Sequence, residues 1–172
     1  MLLSPAKMSL LVFLLSIAGE ATAVSGKPPE NDLFPVIVHH KSATCGTLVE
    51  SQWLSDQKEY EAVFQAMFKG FMSDTKPQPA TIDFDNKAML LVSMGQQRTG
   101  GFSVTLASKQ MEVADERAKI QVQWKTSKAG MVAIQMLTNP CLLLEVPRGN
   151  YTVIDVVDQS GKVQQSITVD QK

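Results

Sequence analysis

The sequence is poor in the residues that most catalytic and metal-binding motifs need. Its 172 residues include only two histidines and two cysteines. No HExxH, GxSxG, CxxC or Walker-type segment is present, and these motifs mark zinc proteases, nucleophile-elbow hydrolases, thioredoxin-like proteins and P-loop proteins. A Ser-His-Asp triad would have to use one of two adjacent histidines. We therefore expect neither an enzyme nor a metal site nor a cofactor.

Two polar pairs have spacings that chemistry can use, and each has a simpler structural interpretation. His39 and His40 are adjacent, so in a strand they point to opposite faces and do not converge on one metal. Asp83 and Asp85 are two positions apart and would share one face of a strand, and paired carboxylates can serve in acid–base catalysis. We expect an exposed edge strand for the histidines and a solvated strand end with a turn for the aspartates.

An excess of either charge is also lacking. Sixteen Lys and Arg residues oppose 17 Asp and Glu residues, which gives a net charge of −1. No basic or acidic block interrupts this balance. Nucleic acids and anionic membrane surfaces select basic patches, so neither is expected as a partner.

The N-terminal apolar run, Met8 to Ala18, is too short for a membrane span, which needs about 20 residues. Lys7 precedes it, and Ala21-Thr22-Ala23 follows with the small-x-small form of a signal-peptidase site. This order predicts a signal peptide over residues 1–23 and no stable span after cleavage. A flexible leader over 24–33 and a single domain over 34–172 follow. We expect the domain to be periplasmic or extracellular.

The two cysteines, Cys45 and Cys141, lie in the part that we expect to be exported. An oxidising compartment lets thiols pair. A disulfide would close a long loop and would stabilise the fold by roughly 3 to 4 kcal/mol. The alternative is that the two residues are small buried hydrophobes that do not meet. The sequence leaves both interpretations open.

One segment has the periodicity of an amphipathic helix. Between Ser55 and Gly70, apolar residues recur at the i, i+3, i+4, i+7 and i+8 spacing. They are Tyr60, Val63, Phe64, Met67 and Phe68. Ser55 or Asp56 would cap the start, and Gly70 suits the end.

The rest of the chain reads as short strands separated by turns. Pro35 confines the first of them to a sheet edge or a strand start. The predicted strands are 33–40, 81–84, 88–94, 102–106, 120–124, 142–146, 151–157 and 163–169. The run 88–94 is continuously apolar, which predicts a central strand covered on both faces. The fold class is therefore α+β: a mainly antiparallel sheet or small sandwich, mostly in hairpin order, with one helix packed on it.

The stretch MGQQRTGGFSVTL, Met94 to Leu106, places Arg98 and two glycines between two apolar runs. Consecutive glycines permit positive φ and close approach of another backbone. Arg98 offers a planar fork of donors to a carboxylate. The structural interpretation is a tight β-hairpin with a solvated arginine, and the functional one is a binding loop.

A series of short motifs surrounds this stretch. The series contains an acidic-Phe pair, an apolar strand, Gly-Gln, Thr-Gly-Gly-aromatic, a Gln and Thr-x-Pro before a last apolar strand. These stand at Asp83-Phe84, Met89 to Val92, Gly95-Gln96, Thr99-Gly100-Gly101-Phe102, Gln135 and Thr138-Asn139-Pro140. Residues 80–148 thereby resemble the PrcB C-terminal domain family. Cys141 departs from the pattern, because an aromatic or apolar residue is more usual there.

The family takes its name from a small surface subunit that accompanies a subtilisin-like protease and supports its maturation or stability. The resemblance implies an exported, non-catalytic accessory domain whose partner is another envelope protein, such as a protease. It also implies that the Thr-Gly-Gly and Thr-x-Pro segments lie close together and contact the partner. The residues concerned are Arg98, Thr99, Gly100, Gly101, Phe102, Gln135, Thr138 and Pro140.

Two other functions stay open. The chain could be a structural envelope domain without a dedicated partner. It could also bind a small ligand or carbohydrate with Trp53 or Trp124 as a stacking platform, although tryptophans are more often core residues. A cleft lined by Arg98, Gln135 and one tryptophan would favour the ligand, and a flat exposed apolar patch would favour the protein partner.

Overall fold

The computed structural model describes residues 32–48, 50–69, 77–127 and 135–170. The predicted signal peptide and residues 24–31 of the predicted leader lie outside these ranges. The first strand begins at Asp32, so the last two residues of the predicted leader are in a strand. No helix in the described ranges is long and apolar enough to cross a membrane.

Within the described residues the chain forms nine strands and one helix. They are β1 Asp32–Pro35, β2 Ile37–Ser42, β3 Gln52–Leu54, α1 Gln57–Met67, β4 Lys87–Ser93, β5 Ser103–Ala114, β6 Arg117–Lys125, β7 Cys141–Pro147, β8 Val153–Val157 and β9 Val163–Thr168. The first sheet has the order β1-β5-β6-β8-β9 and the second has the order β2-β7-β4-β3. Among these strands only the β6–β8 pair is parallel. The α+β prediction is confirmed, in its sandwich form.

The central strands β4 and β7 are buried on both faces, which makes the second sheet the middle of three layers. Alternate side chains of each strand belong to two different core clusters. Leu90, Val92, Leu142 and Leu144 pack against the first sheet, whereas Met89, Leu91 and Leu143 pack with α1. Burying each such side chain contributes roughly 1.5–3 kcal/mol. The prediction of a central strand over 88–94 is confirmed.

The helix α1 covers the outer face of the second sheet. Its N-cap is Asp56, whose carboxylate accepts a hydrogen bond from the Glu59 N–H at 2.8 Å. Glu59 in turn accepts from the Ser55 N–H at 2.7 Å, in the manner of a capping box. The helix ends at Met67, so Phe68 follows the helix and packs, half-buried, against the same cluster. The predicted cap Gly70 lies outside the described residues.

The predicted strand 81–84 is wrong. Residues 77–83 have no regular structure, and 84–86 form a turn. The Asp83 carboxylate accepts hydrogen bonds from the Asp85 N–H at 3.2 Å and from the Asn86 amide at 2.9 Å. Such local bonds from an Asp side chain compete with strand pairing. Asp83 and Asp85 are therefore turn residues and not a catalytic pair on a strand.

The predicted hairpin order is also wrong in part. The run 33–40 is two strands, β1 and β2, which lie in different sheets on either side of Val36. Apart from β3 and β4, which α1 separates, consecutive strands pair in the described chain only at β5–β6 and β8–β9. The β5–β6 turn uses Asp115 and Glu116 at positive φ. Its lack of glycine explains why the sequence did not indicate it.

Of the two interpretations of the cysteines, the structure has the disulfide. Cys45 and Cys141 are bonded, with their Cα atoms 6.1 Å apart. Both residues are fully buried in the cluster between α1 and the second sheet. The bond joins the loop after β2 to the first residue of β7.

We expect the double variant Cys45→Ala/Cys141→Ala to lose about 3–4 kcal/mol of unfolding free energy. The disulfide restricts the unfolded chain over a separation of 96 residues, and its removal restores that conformational entropy. Urea denaturation followed by tryptophan fluorescence measures the loss. Wild type kept reduced is the control and should unfold at the same urea concentration as the variant. Equal midpoints for oxidised and reduced wild type would contradict the prediction.

Candidate functional site

The loop between β4 and β5, residues 94–102, is not the predicted β-hairpin. Its two flanking strands lie in different sheets, so the loop carries the chain from the second sheet to the first. The partners of β4 are β3 and β7, and those of β5 are β1 and β6. We call residues 94–102 the Gly-Gly loop and residues 135–140 the Thr138 segment.

The Gly-Gly loop pairs with the Thr138 segment, as the sequence resemblance predicted. Gln97 and Thr138 exchange two backbone hydrogen bonds, of 2.7 and 2.9 Å. The Thr138 hydroxyl donates to the Thr99 carbonyl at 3.3 Å. The Met94 N–H donates to the Pro140 carbonyl at 2.9 Å. The two segments therefore form one continuous surface at this end of the sandwich.

A buried asparagine anchors this surface to the core. Asn139 is 3% exposed, and its N–H donates to the Ala43 carbonyl at 3.1 Å. Its carbonyl accepts from the Cys45 N–H at 2.9 Å. Its side-chain amide donates to the Leu48 carbonyl and accepts from the Ser93 hydroxyl, the latter at 2.8 Å. Sequence reasoning treated Asn139 as the variable position of Thr-x-Pro and missed this role.

The eight predicted site residues divide by exposure. Arg98, Gly101 and Gln135 are exposed, Thr99, Gly100 and Phe102 are half-buried, and Thr138 and Pro140 are buried. Phe102 packs against the core between the sheets. Thr138, Pro140 and Phe102 therefore shape the surface from beneath, and the exposed residues form its outer part.

Two further residues of this surface were missed by the sequence analysis. Met136 and Leu137 are 53% and 61% exposed. They follow Gln135 directly and precede the Gln97–Thr138 bridge. Large apolar side chains this exposed are a recognised sign of a protein contact surface when they lie together. No sequence pattern distinguishes them from core residues, because apolar residues are expected inside.

The surface carries little that could perform acid–base or metal chemistry. Arg98 is the titratable side chain that the Gly-Gly loop contributes, and the described part of the Thr138 segment adds amide, hydroxyl and apolar groups. No group of three or more His, Cys, Asp or Glu in the described residues could hold a metal ion. The arrangement is suited to contact with another molecule through backbone, an arginine fork and apolar side chains.

The two histidines lie elsewhere, on the edge strand β2. The edge position agrees with the prediction, but both side chains are half-buried, whereas exposed ones were predicted. His39 shares a hydrogen bond of 2.6 Å with the Glu145 carboxylate, which also accepts from the Lys87 ammonium group. His40 packs edge-on against Phe68, with ring centroids 4.9 Å apart, and burial lowers the pKa of His40. These contacts give the histidines structural roles in separate neighbourhoods.

Comparison with known proteins bears on this same region. The model of the family described as PrcB C-terminal matches residues 89–147. The match runs from β4 to β7 and includes both the Gly-Gly loop and the Thr138 segment. The family prediction is confirmed over this stretch. No curated protein and no solved structure matches the chain.

We expect Gly101→Ala to lower the unfolding free energy by about 1–3 kcal/mol. Gly101 has φ +93°, which a residue with a Cβ rarely adopts, whereas the added methyl group would meet Ser127 at an ordinary 3.6 Å. Gly100→Ala is the matched control, because Gly100 is not among the positive-φ residues. Its loss should stay below about 1 kcal/mol. Equal losses in urea denaturation would show that backbone conformation is not what requires Gly101.

A pH dependence follows from Glu145. Burial alone would raise its pKa, but the hydrogen bonds from Lys87 and His39 outweigh burial, and the pKa lies below the ordinary 4.5. A carboxyl group whose pKa is lowered by folding stabilises the fold at pH values above its unfolded-state pKa. This stability is lost as the pH falls through the folded-state pKa. Urea denaturation at pH 6 and pH 3 should therefore show a smaller acid-induced loss for Glu145→Gln than for wild type. An identical loss would contradict this assignment.

Proposed function

From the membership of residues 89–147 in the PrcB C-terminal family, we propose that this chain is an exported, non-catalytic accessory domain. It binds another envelope protein and stabilises it. The partner that the family resemblance suggests is a subtilisin-like protease. The contact surface is the exposed part of the Gly-Gly loop and the Thr138 segment.

The observation that carries the proposal is the exposure of Met136 and Leu137 on a well-anchored surface. At 53% and 61% exposure they leave much of their apolar area in water. Covering such side chains with a partner removes that area from water and contributes roughly 25 cal/mol per Å². Both lie within the stretch that matches the family.

The anchoring of the surface favours binding for an entropic reason. The Gln97–Thr138 backbone bonds and the buried Asn139 fix the two segments before any partner arrives. A surface that is already ordered loses less conformational freedom on association than a loose loop does. Less of the free energy of contact is then lost to ordering the two segments.

Arg98 supplies the polar part of the contact. Its side chain is exposed, and it directly follows Gln97, whose bonded partner Thr138 directly follows Leu137. A guanidinium group donates two parallel hydrogen bonds to a carboxylate, which fixes orientation as well as adding attraction. We infer a partner surface with an acidic residue beside an apolar depression.

The test is mild chemical crosslinking of the tagged protein in its native envelope, followed by affinity capture and mass spectrometry. We expect one envelope protein to be recovered with wild type. Arg98→Ala and Leu137→Asp should each lower its recovery at least about tenfold, the equivalent of 1.4 kcal/mol. Both positions are exposed, so the urea midpoints of the variants should stay near that of wild type.

Two controls separate the proposed surface from general effects of charge and apolarity. Lys162→Ala removes an exposed cation outside the surface, and Val163→Asp places a charge at an apolar residue that is 46% exposed on β9. Both should retain full recovery. No protein recovered above background, or equal recovery with all four variants, would overturn the proposal.

A further inference from the structure

A second surface lies where both sheets end. The strand β3 is the last strand of the second sheet and β9 is the last of the first, so each has one edge without a strand partner in the described chain. A groove of about 530 Å³ runs between them. Its lining residues are Glu50, Ser51, Trp53, Gln165, Ser166, Ile167, Thr168 and Asp170. This volume falls in the range of small-ligand sites, roughly 300–1,000 Å³.

The groove has a fixed aromatic wall. Trp53 is half-buried and packs edge-on against Tyr151, with ring centroids 6.3 Å apart. Its indole N–H donates to the Asp170 carbonyl at 3.3 Å. These two contacts set the orientation of the ring. A tryptophan whose ring is apolar and whose N–H is hydrogen-bonded is typical of interfaces and binding sites.

The floor of the groove is closed by a polar contact between the two sheets. The Ser51 hydroxyl donates to the Gln165 side-chain oxygen at 2.5 Å, and the Gln165 amide donates to the Ser93 carbonyl at 2.7 Å. The shape of the groove therefore depends on bonds that are already made without a ligand. A ligand entering it would not need to order these side chains.

The groove also presents acceptors that the described residues leave unused. The side chains of Glu50, Thr168 and Asp170 are exposed and make no hydrogen bond or ion pair with the described residues. Two of the three are carboxylates, and no Lys, Arg or His lies in the lining. Such a site repels anions and attracts donors, whether hydroxyl or ammonium.

We propose that the groove between β3 and β9 binds a saccharide that is neutral or carries amino groups. A sugar ring combines an apolar face, which stacks on Trp53, with hydroxyl donors, which reach the carboxylates of Glu50 and Asp170. An amino group adds a cation for the same carboxylates and for the indole face. This site is separate from the proposed accessory surface, and neither proposal depends on the other.

Isothermal titration calorimetry of the purified chain tests the proposal with three probes. Triacetylchitotriose is the neutral saccharide, chitotriose is the same backbone with free amino groups, and dextran sulfate is the anionic comparison. We expect both chitotriose forms to bind, the amino form more tightly, and dextran sulfate not to bind. No binding of either chitotriose form at about 10 mM, or equal binding of dextran sulfate, would overturn the proposal.

Two tryptophan variants locate the site. Trp53→Phe should weaken binding of both chitotriose forms at least about fivefold, because a phenyl ring offers a smaller stacking face than the indole and lacks its N–H. Trp124→Phe is the matched control, since Trp124 is also half-buried but does not line the groove. It should bind as wild type does. Unchanged binding by Trp53→Phe would place the saccharide elsewhere and overturn the proposal.

Glu50→Gln keeps the proposal testable if Trp53→Phe is unstable. Glu50 is exposed, and its side chain makes no hydrogen bond or ion pair with the residues that the structure describes. Loss of its charge should weaken binding of the amino form more than binding of the acetylated form. An equal effect on both, or none on either, would contradict the assigned role of the carboxylate.

Discussion

The buried residue Asn139 joins its own segment to two others that are far away in sequence, residues 43–48 and Ser93. Its backbone bonds to Ala43 and Cys45, and its side-chain amide bonds to Leu48 and Ser93. An amide buried without these partners would cost about 1–3 kcal/mol for each unmade bond. With them, it fixes the path of the chain on both sides. Thr138 is thereby set opposite Gln97, and the position of the exposed surface follows from an interaction in the core.

The middle layer explains why the anchor can be buried at all. Because β4 and β7 are covered by the first sheet on one face and by α1 on the other, the ends of these strands are also shielded from water. Backbone and side-chain polar groups there must find partners in the protein. Asn139 and Ser93 provide those partners at the point where apolar strands give way to loops. The disulfide, two residues beyond Asn139, restrains the same junction covalently.

Sequence periodicity predicted the elements that local burial determines. The stripe of α1 and the apolar run of β4 follow directly from which faces are covered. The sheet partners of each strand were not predictable in the same way, because they depend on contacts distant in sequence. The Gly-Gly loop illustrates the difference: its glycines indicate a turn, but only the placement of β4 and β5 in different sheets decides that the turn crosses between layers.

The candidate site shows the same limit at the level of single residues. The family motifs located two segments that the structure brings together, yet they did not separate residues that shape the surface from residues that form it. Thr138 and Pro140 are buried, whereas Met136 and Leu137, which no motif marks, are exposed. Exposure is a property of the assembled layers, so composition and spacing could not supply it.

Ser93 connects the two proposed surfaces and determines how they can be studied separately. Its hydroxyl donates to Asn139 beneath the Gly-Gly loop, and its N–H donates to Ser51 in the floor of the groove. A substitution at Ser93 would therefore disturb both surfaces, and its effect could not be assigned to either. The free-energy effects of substitutions within one hydrogen-bond network do not add, whereas the effects of substitutions at distant sites generally do. Arg98 and Trp53 take part in neither of these two bonds, so substitutions at those positions report on one surface each.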